Sequence, residues 1–405
     1  MSKQCPSPSQ PSLTWLFVLT LVGYPIAGLL ASGLDWESTV VSIPFRAAVL
    51  LLSVWVLSRA RPSQPRRQAM QWLFAFWLVY LIRLVWDWLV AGVPGSLEAT
   101  IFFILTVVIP CRALALGAPA LSERNAVQSL VWIGTAICAA AVLMHFLQVG
   151  SERSLTERTG RLSFEAINPI TLGHVATTTL IAVLCLTQRR LSAMNWMALI
   201  PAVLVAGTCL VLAASRGPVV ALALAAIAFV ASTRRWRWLL LMALLLLPQL
   251  PSQDGELWVR FASIDEDDSA LQRLLLQGNA IAQFLSHPLL GNAFVELEFL
   301  EYPHNLFIES AMALGIVGSA ILVTVLFKAL LAALRLSRRG QLLIPLLFVQ
   351  YFVSAQLSGA IWGNAGLWAT TALLISLAPV SAPRRKGRQL ATRPTNTLGP
   401  MAPHT

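Results

Sequence analysis

Long apolar stretches dominate this chain and constrain its fold most strongly. Most are close to the roughly 20 residues that a helix needs to cross a membrane, and because lipid offers the backbone no hydrogen-bond partners, they must be helical. Only 12% of the residues are charged and 57% are hydrophobic, whereas soluble domains carry about 25% charged residues. The sequence therefore predicts an all-α polytopic membrane protein with about twelve transmembrane helices, near residues 13–31, 39–58, 72–92, 97–118, 126–149, 169–187, 193–212, 217–232, 237–250, 304–334, 341–358 and 361–380.

The net charge of +11 has a distribution typical of membrane topology. Most of the basic residues fall in alternate connections, which the positive-inside rule places in the cytoplasm. This pattern predicts cytoplasmic termini and indicates orientation signals rather than nucleic-acid binding. The residues concerned are Arg59, Arg61, Arg66, Arg67, Arg112, Arg124, Arg189, Arg190, Arg234, Arg235, Arg237, Arg335, Arg338, Arg339, Arg384, Arg385, Lys386, Arg388 and Arg393.

Two connections on the outer side are longer than the rest. Residues 1–250 hold spans one to nine with an outer loop at 150–168, residues 251–303 form a second outer loop, and residues 304–381 hold the last three spans. In the second loop, apolar residues from Leu271 to Leu285 recur at helical spacing. They predict an amphipathic helix that lies either in the membrane interface or on the bundle as a solvent-side helix. Residues 382–405 are expected to form a disordered cytoplasmic tail.

Several common chemistries lack their sequence motifs. There is no GxxxxGK[ST] loop for a nucleotide, no HExxH pair for zinc and no GxSxG elbow. The five cysteines show no CxxC spacing, and none falls in an outer loop, so no disulfide framework is expected. We therefore expect no cofactor and no metal.

Eight arginines lie on or near the outer face, where the positive-inside rule disfavours them. Arg83 has Asp87 one turn on, so a local ion pair is an equal alternative to a functional role. Arg216 lies in a tight turn at the start of a span, where a guanidinium can grip a phosphate or can simply set the depth of the helix. A convergence of several would favour a diphosphate, which bidentate donors suit. The eight are Arg46, Arg83, Arg153, Arg158, Arg161, Arg216, Arg260 and Arg273.

His304 lies where the long outer loop meets a new apolar span. An ionisable ring at this position can serve as a general base or simply cap the helix, and the residues alone leave both readings open. The carboxylates near it are Glu296, Glu298, Glu301 and Glu309.

Four motifs in this order give the chain a resemblance to a known family. They are Ser215-Arg216-Gly217, His-Pro-Leu-Leu-Gly at 287–291, His-Asn-Leu-Phe-Ile-Glu at 304–309 and Leu-Gly-Ile-Val-Gly at 314–318. Together with the long outer loop and the twelve-span layout, they resemble the O-antigen ligase and O-antigen polymerase superfamily of bacterial membrane glycosyltransferases. The likeness covers about residues 150–335, and the rest fits by hydropathy only.

The resemblance implies glycosyl transfer at the periplasmic face of the bacterial inner membrane. The implied donor is a glycan on undecaprenyl diphosphate, and the implied acceptor is a sugar hydroxyl of lipid A–core or the end of another glycan. His304 would be the general base of an inverting displacement that needs no metal, and Glu309 would orient its ring. The diphosphate would be held by Arg216, Arg161 and Arg273, with Arg158 and Arg260 as further candidates.

Two other functions compete with an O-antigen ligase. An O-antigen or exopolysaccharide polymerase would share the fold and the donor. A non-enzymatic lipid or polysaccharide transporter would also need many spans, but it predicts ionisable residues near the bilayer midplane. Here the charges gather at the outer boundary, which favours the enzyme, and the modest outer loop favours the ligase.

Overall fold

The computed structural model describes residues 10–60, 64–149, 161–188, 193–246 and 268–378. Arg158, Arg260 and the tail from 382 lie outside these residues. Within them the protein is built from helices, with one isolated bridge between Phe164 and Ile167. The helices are α1 (Gln10–Leu34), α2 (Ser38–Arg59), α3 (Gln64–Trp86, continued by the π-helical turn Asp87–Ala91), α4 (Ser96–Ala120), α5 (Glu123–Phe146), α6 (Pro169–Leu186), α7 (Ala193–Ala213), α8 (Arg216–Thr233), α9 (Trp236–Leu246), α10 (Asp268–Ser286), α11 (Leu306–Ser337), α12 (Leu343–Leu357) and α13 (Ala365–Leu377).

Eight of the described helices are long and apolar enough to cross a membrane, namely α1 to α6, α8 and α11. Three shorter apolar stretches, Leu199–Ala213, Leu343–Leu357 and Ala365–Leu377, lie where further spans are predicted. The described part of α9 has 11 residues. The polytopic helical class is thus confirmed, whereas twelve crossings remain a prediction.

The amphipathic helix predicted in the long loop is α10. Its leucines at 271, 274, 275 and 285 are all exposed, while Leu276 and Ala280 on another face are buried. Helix α10 packs on α11, and Gln283 of α10 donates to the carbonyl of Val295 in the connection between the two helices. An exposed apolar face is what a helix in a membrane interface would present.

Aromatic side chains form the centre of the bundle. Trp368 of α13 packs on Phe76 and Trp77 of α3, and Tyr80 packs edge-on against Phe103 of α4 with ring centroids 5.2 Å apart. Each of these side chains is buried. Burial of rings of this size fixes how α3, α4 and α13 pack together.

Helices α1 to α8 and α11 to α13 alternate in direction, so their connections gather at two ends. We call the site end the one that holds residues 35–37, 92–95, 161–168, 214–215, 287–305 and 358–364. At the opposite end, Glu123 accepts hydrogen bonds from the backbone N–H groups of Leu342 and Leu343, and Arg235 donates to the carbonyl of Thr187. The basic pair Arg338 and Arg339 also lies there.

Candidate active site

His304 lies just before α11 in a strained backbone conformation. Its φ is 55°, which few residues other than glycine adopt. The helix begins after Asn305, whose side-chain oxygen accepts hydrogen bonds from the N–H groups of Phe307 and Ile308, both at 3.1 Å. The predicted span therefore starts at Leu306 rather than at His304. Strain of this kind persists only where the surrounding structure enforces it, and it is concentrated at functional sites.

The imidazole of His304 is half-buried and packs edge-on against Tyr302, with ring centroids 4.5 Å apart. Among the described residues, its Nδ1 has no hydrogen-bond partner. Burial, together with the positive charge of Arg273, lowers the pKa of His304 to about 4. The ring is therefore neutral at pH 7 and has a lone pair with which to accept a proton.

Two of the arginines predicted to bind a diphosphate lie on elements that contact the last turn of α12. Arg273 of α10 donates to the carbonyl of Leu357 at 3.0 Å. Arg216 is the first residue of α8, and its neighbour Gly217 lies against Leu357, since an added Cβ would be 3.9 Å from the Cβ of that leucine. Next to His304, Asn305 donates to the carbonyl of Gln356 at 3.5 Å. The end of α12 thus joins the elements that carry Arg216, Arg273 and His304.

Arg161 joins the same group through the segment before α6. Leu162 donates its N–H to the carbonyl of Leu212 at 2.8 Å, and the Nε of Arg161 donates to the carbonyl of Ala213 at 3.3 Å. These contacts place Arg161 beside the turn that carries Arg216. Three of the five predicted arginines are therefore brought together at the site end.

Glu309 is placed differently from what the sequence suggested. Its buried carboxylate accepts a hydrogen bond from Tyr80 at 3.2 Å and two from the N–H of Ile361, at 2.9 and 3.0 Å. Trp368 donates to the carbonyl of the same Ile361 at 2.8 Å. The structure therefore does not bring Glu309 to the ring of His304. Instead, this carboxylate ties the first turn of α11 to the loop before α13.

Two glycines explain why the motifs at 287–291 and 314–318 occur together. Helix α11 is broken at Gly315, which has φ 62° and ψ −161°. A Cβ there would lie 2.3 Å from the carbonyl of Leu289, and a Cβ on Gly291 would lie 2.3 Å from the carbonyl carbon of Ala313. The backbone groups freed by the break are bonded across this contact, as Ile316 donates to the carbonyl of Pro288 at 2.8 Å. Only glycine fits either position.

The ion pair between Arg83 and Asp87 is hydrogen-bonded to the loop that follows α10. A guanidinium nitrogen of Arg83 lies 3.3 Å from a carboxylate oxygen of Asp87, which is the local ion pair that helical spacing predicts. Arg83 also donates to the carbonyls of Asn292 and Leu290 at 2.8 and 3.0 Å, while Asp87 accepts from the N–H of Phe294 at 2.8 Å. Helix α3 thereby fixes the path of the chain that leads to His304.

A cavity of about 400 Å³ opens beside His304, and Tyr302 lines it. Its other walls come from α1, α2, α4, α6, α12 and the loop before α13. Arg46 of α2 reaches into it, with its guanidinium over the rings of Phe102 and Tyr24 at 4.4 and 5.4 Å. The sequence marked Arg46 as a charge within a span, but its two aromatic partners come from other helices and no local pattern reveals them.

In the described part of the chain, no group of three or more His, Cys, Asp or Glu residues is arranged to hold a metal ion. The chemistry available at this end of the bundle is that of a neutral imidazole, several guanidinium groups and a cavity with both polar and apolar walls. Together they define a polytopic helical membrane protein with a cationic site at one end.

Comparison with known proteins narrows this class. Residues 201–323 match the family model described as O-antigen ligase. The match spans α8, α10, the motifs of both glycines and His304, and within these residues it confirms the resemblance to the O-antigen ligase superfamily that the sequence suggested. No curated protein and no solved structure matches the chain.

Proposed function

We propose that the protein is an O-antigen ligase that transfers a glycan from undecaprenyl diphosphate to a sugar hydroxyl of lipid A–core. The observation that carries this proposal is the position of Arg161, Arg216, Arg273 and a neutral His304 at the same end of the bundle. The match of residues 201–323 to a family model of membrane glycosyltransferase-like enzymes supports it. The site end would face the periplasm and both termini the cytoplasm, in a bacterial inner membrane.

His304 acts as the general base in this mechanism. The acceptor hydroxyl gives its proton to the imidazole while its oxygen attacks the anomeric carbon of the donor from the side opposite the diphosphate. The bond between that carbon and the diphosphate oxygen breaks, and its electron pair leaves with the diphosphate. The configuration at the anomeric carbon is therefore inverted.

The arginines stabilise the charge that develops on the leaving diphosphate. Arg216 contributes from a helix N-terminus, where the helix dipole also favours an anion. Arg158 and Arg260 remain further candidates for this role. Arg273 has a second effect, because its charge is one cause of the low pKa of His304. A bound diphosphate would neutralise that charge and raise the pKa of His304, so the base becomes stronger when the donor is in place.

Glu309 serves as a positioning residue. By holding Ile361 and Tyr80, it fixes the loop before α13 against the start of α11, next to Asn305 and His304. Its effect on the imidazole then passes through the backbone rather than through a direct hydrogen bond.

A reconstituted transfer assay tests this function. The full-length protein in detergent, with a lipid-diphosphate glycan and an acceptor but no ion gradient, should form product. We expect His304→Ala to reduce the rate roughly 10²–10⁴-fold and Arg216→Ala roughly 10²–10³-fold. Arg338→Ala, at the opposite end, is the matched control and should retain the wild-type rate.

Full transfer by correctly inserted His304→Ala and Arg216→Ala variants would contradict the assignment. Absence of product from the wild type would favour a transporter. The lipopolysaccharide of a deletion strain then separates the two enzymes: loss of all attached polymer indicates a ligase, and a single retained repeat unit indicates a polymerase.

A further inference from the structure

Arg46 places a positive charge inside the bundle without a counter-charge in its cavity. It lies eight residues into α2, or roughly 12 Å from the site end of that helix at 1.5 Å per residue. No carboxylate is among the residues that line the cavity. Within the described part of the chain, the contacts of its guanidinium are the faces of Tyr24 and Phe102. Intramembrane arginines without a partner are costly and mark functional sites.

The two cation–π contacts do not use the N–H groups of the guanidinium. The Cζ of Arg46 lies over both rings and the side chain lines the cavity, so its N–H groups remain available there. A planar fork held in this way suits a phosphate or a carboxylate, which it can bind through two parallel hydrogen bonds.

The rest of the cavity wall is also rich in donors. Asn168 and Asn364 both line it, and the side-chain oxygen of each is already used as a helix cap, accepting from the N–H of Thr171 and of Leu367. These caps do not use the amide NH₂ groups, which can donate to a ligand. The hydroxyl of Ser358, the hydroxyl oxygen of Thr20, which donates its proton to the carbonyl of Leu16 and can only accept from a ligand, and aromatic rings complete a lining that matches a sugar, which offers both hydroxyls and flat apolar faces.

The position of the cavity relative to His304 indicates which substrate it serves. Tyr302 lines the cavity, and its ring packs on the imidazole of His304. The residues that join the cavity to the arginine group are Ser358 and Gly359, directly after Leu357. The cavity and the arginine group thus adjoin His304 separately, and an in-line displacement needs donor and acceptor on opposite sides of the reacting carbon.

We propose that this cavity is the acceptor site and that Arg46 binds an anionic group, a phosphate or a carboxylate, on the acceptor sugar. The assignment of the cavity to the acceptor rests on the proposed function, whereas the binding of an anionic sugar does not. The volume of the cavity, about 400 Å³, is within the range of small-ligand sites, roughly 300–1,000 Å³.

A binding experiment tests the cavity without any transfer reaction. Thermal unfolding of the detergent-purified full chain is followed with glucose 6-phosphate, glucose or inorganic phosphate. We expect glucose 6-phosphate to raise the unfolding midpoint of the wild type and of His304→Ala, since a ligand stabilises the state that it binds. Arg46→Gln should lose this rise, Arg46→Lys should retain part of it, and Arg338→Ala should retain all of it.

Two outcomes of this experiment would overturn the proposal. An equal rise with inorganic phosphate would mean an anion site that does not recognise sugar. An unchanged response in Arg46→Gln, with a monodisperse protein on size exclusion, would mean that Arg46 is not the anion-binding group.

Steady-state transfer then assigns the cavity to the acceptor. Arg46→Gln should raise KM for a phosphorylated acceptor about tenfold or more, the usual effect of removing a charge-assisted hydrogen bond. It should leave KM for the donor unchanged, and its effect should disappear with a dephosphorylated acceptor. A rise in KM for the donor instead would place the donor in this cavity. Failure of the wild type to transfer at all would contradict the proposed function. The binding experiment would then still decide whether the cavity binds an anionic sugar through Arg46.

Discussion

His304 combines a strained backbone, a half-buried ring and a nearby arginine, and these set its acid–base behaviour. Burial and Arg273 both disfavour the imidazolium, so the pKa lies at about 4 instead of the usual 6.5. The neutral, active base is present above that pKa and is lost as the pH falls through it. We expect kcat/KM, which reports the unliganded enzyme, to lose activity on its acid side near pH 4.

Arg273→Gln removes one of the two causes, so the pKa of His304 should rise towards 6.5 and the acid limb should move to higher pH. A pH profile of kcat/KM for both proteins measures this shift. Arg338→Ala serves as the control and should leave the profile unchanged. An acid limb that stays in place in Arg273→Gln would mean that the arginine does not act on the base.

At the residue scale, the sequence predicts which residues lie at the site end better than it predicts the partners that these residues contact. The pairing of Arg83 with Asp87 follows from helical spacing, but its bonds to residues 290–292 join parts of the chain more than 200 positions apart. The role predicted for Glu309 assumed that His304 belongs to the same helix. Because His304 has a positive φ and precedes the Asn305 cap, helical spacing does not apply, and the carboxylate meets Tyr80 and Ile361 instead.

At the element scale, hydropathy predicts where helices run but not where they break. Helix α11 reads as one apolar span, yet Gly315 interrupts it so that the 287–291 loop can pack against it. We expect Gly315→Ala to destabilise the fold by about 2 kcal/mol or more, through a strained φ and a backbone overlap. Thermal unfolding in detergent would show a lower midpoint.

Variants at two further glycines distinguish the effect of a strained φ from that of the backbone overlap. Gly340 has φ 79° and open space around it, so Gly340→Ala reports backbone strain alone. Gly278 lies within α10 with nothing near its Cβ position, and Gly278→Ala should be neutral or slightly stabilising. If Gly315→Ala were no more harmful than Gly340→Ala, the close contact with the loop would not matter for stability.

At the scale of the whole molecule, the helices alternate in direction and both ends of the bundle carry arginines. The site end holds Arg161, Arg216 and Arg273, and the opposite end holds basic residues in the connections between helices. The positive-inside rule assigns the second end, with Arg338 and Arg339, to the cytoplasm. We therefore expect Glu298→Cys, in the loop before His304, to react with a membrane-impermeant maleimide added to intact spheroplasts. Arg339→Cys should react only after the membrane is opened. Both positions are exposed.

The native cysteines of the described residues should contribute little background to this labelling. The cysteines at 111, 138, 185 and 209 are buried, so a Cys5→Ser parent should be nearly silent and supplies the control. Labelling of Glu298→Cys and Arg339→Cys from the same side would break the alternation on which the topology depends. Labelling of Arg339→Cys alone in intact spheroplasts would invert the molecule and put His304 in the cytoplasm. This last result, or labelling of Glu298→Cys only after the membrane is opened, would rule out transfer at the periplasmic face, because His304 and the arginines lie at the same end as Glu298.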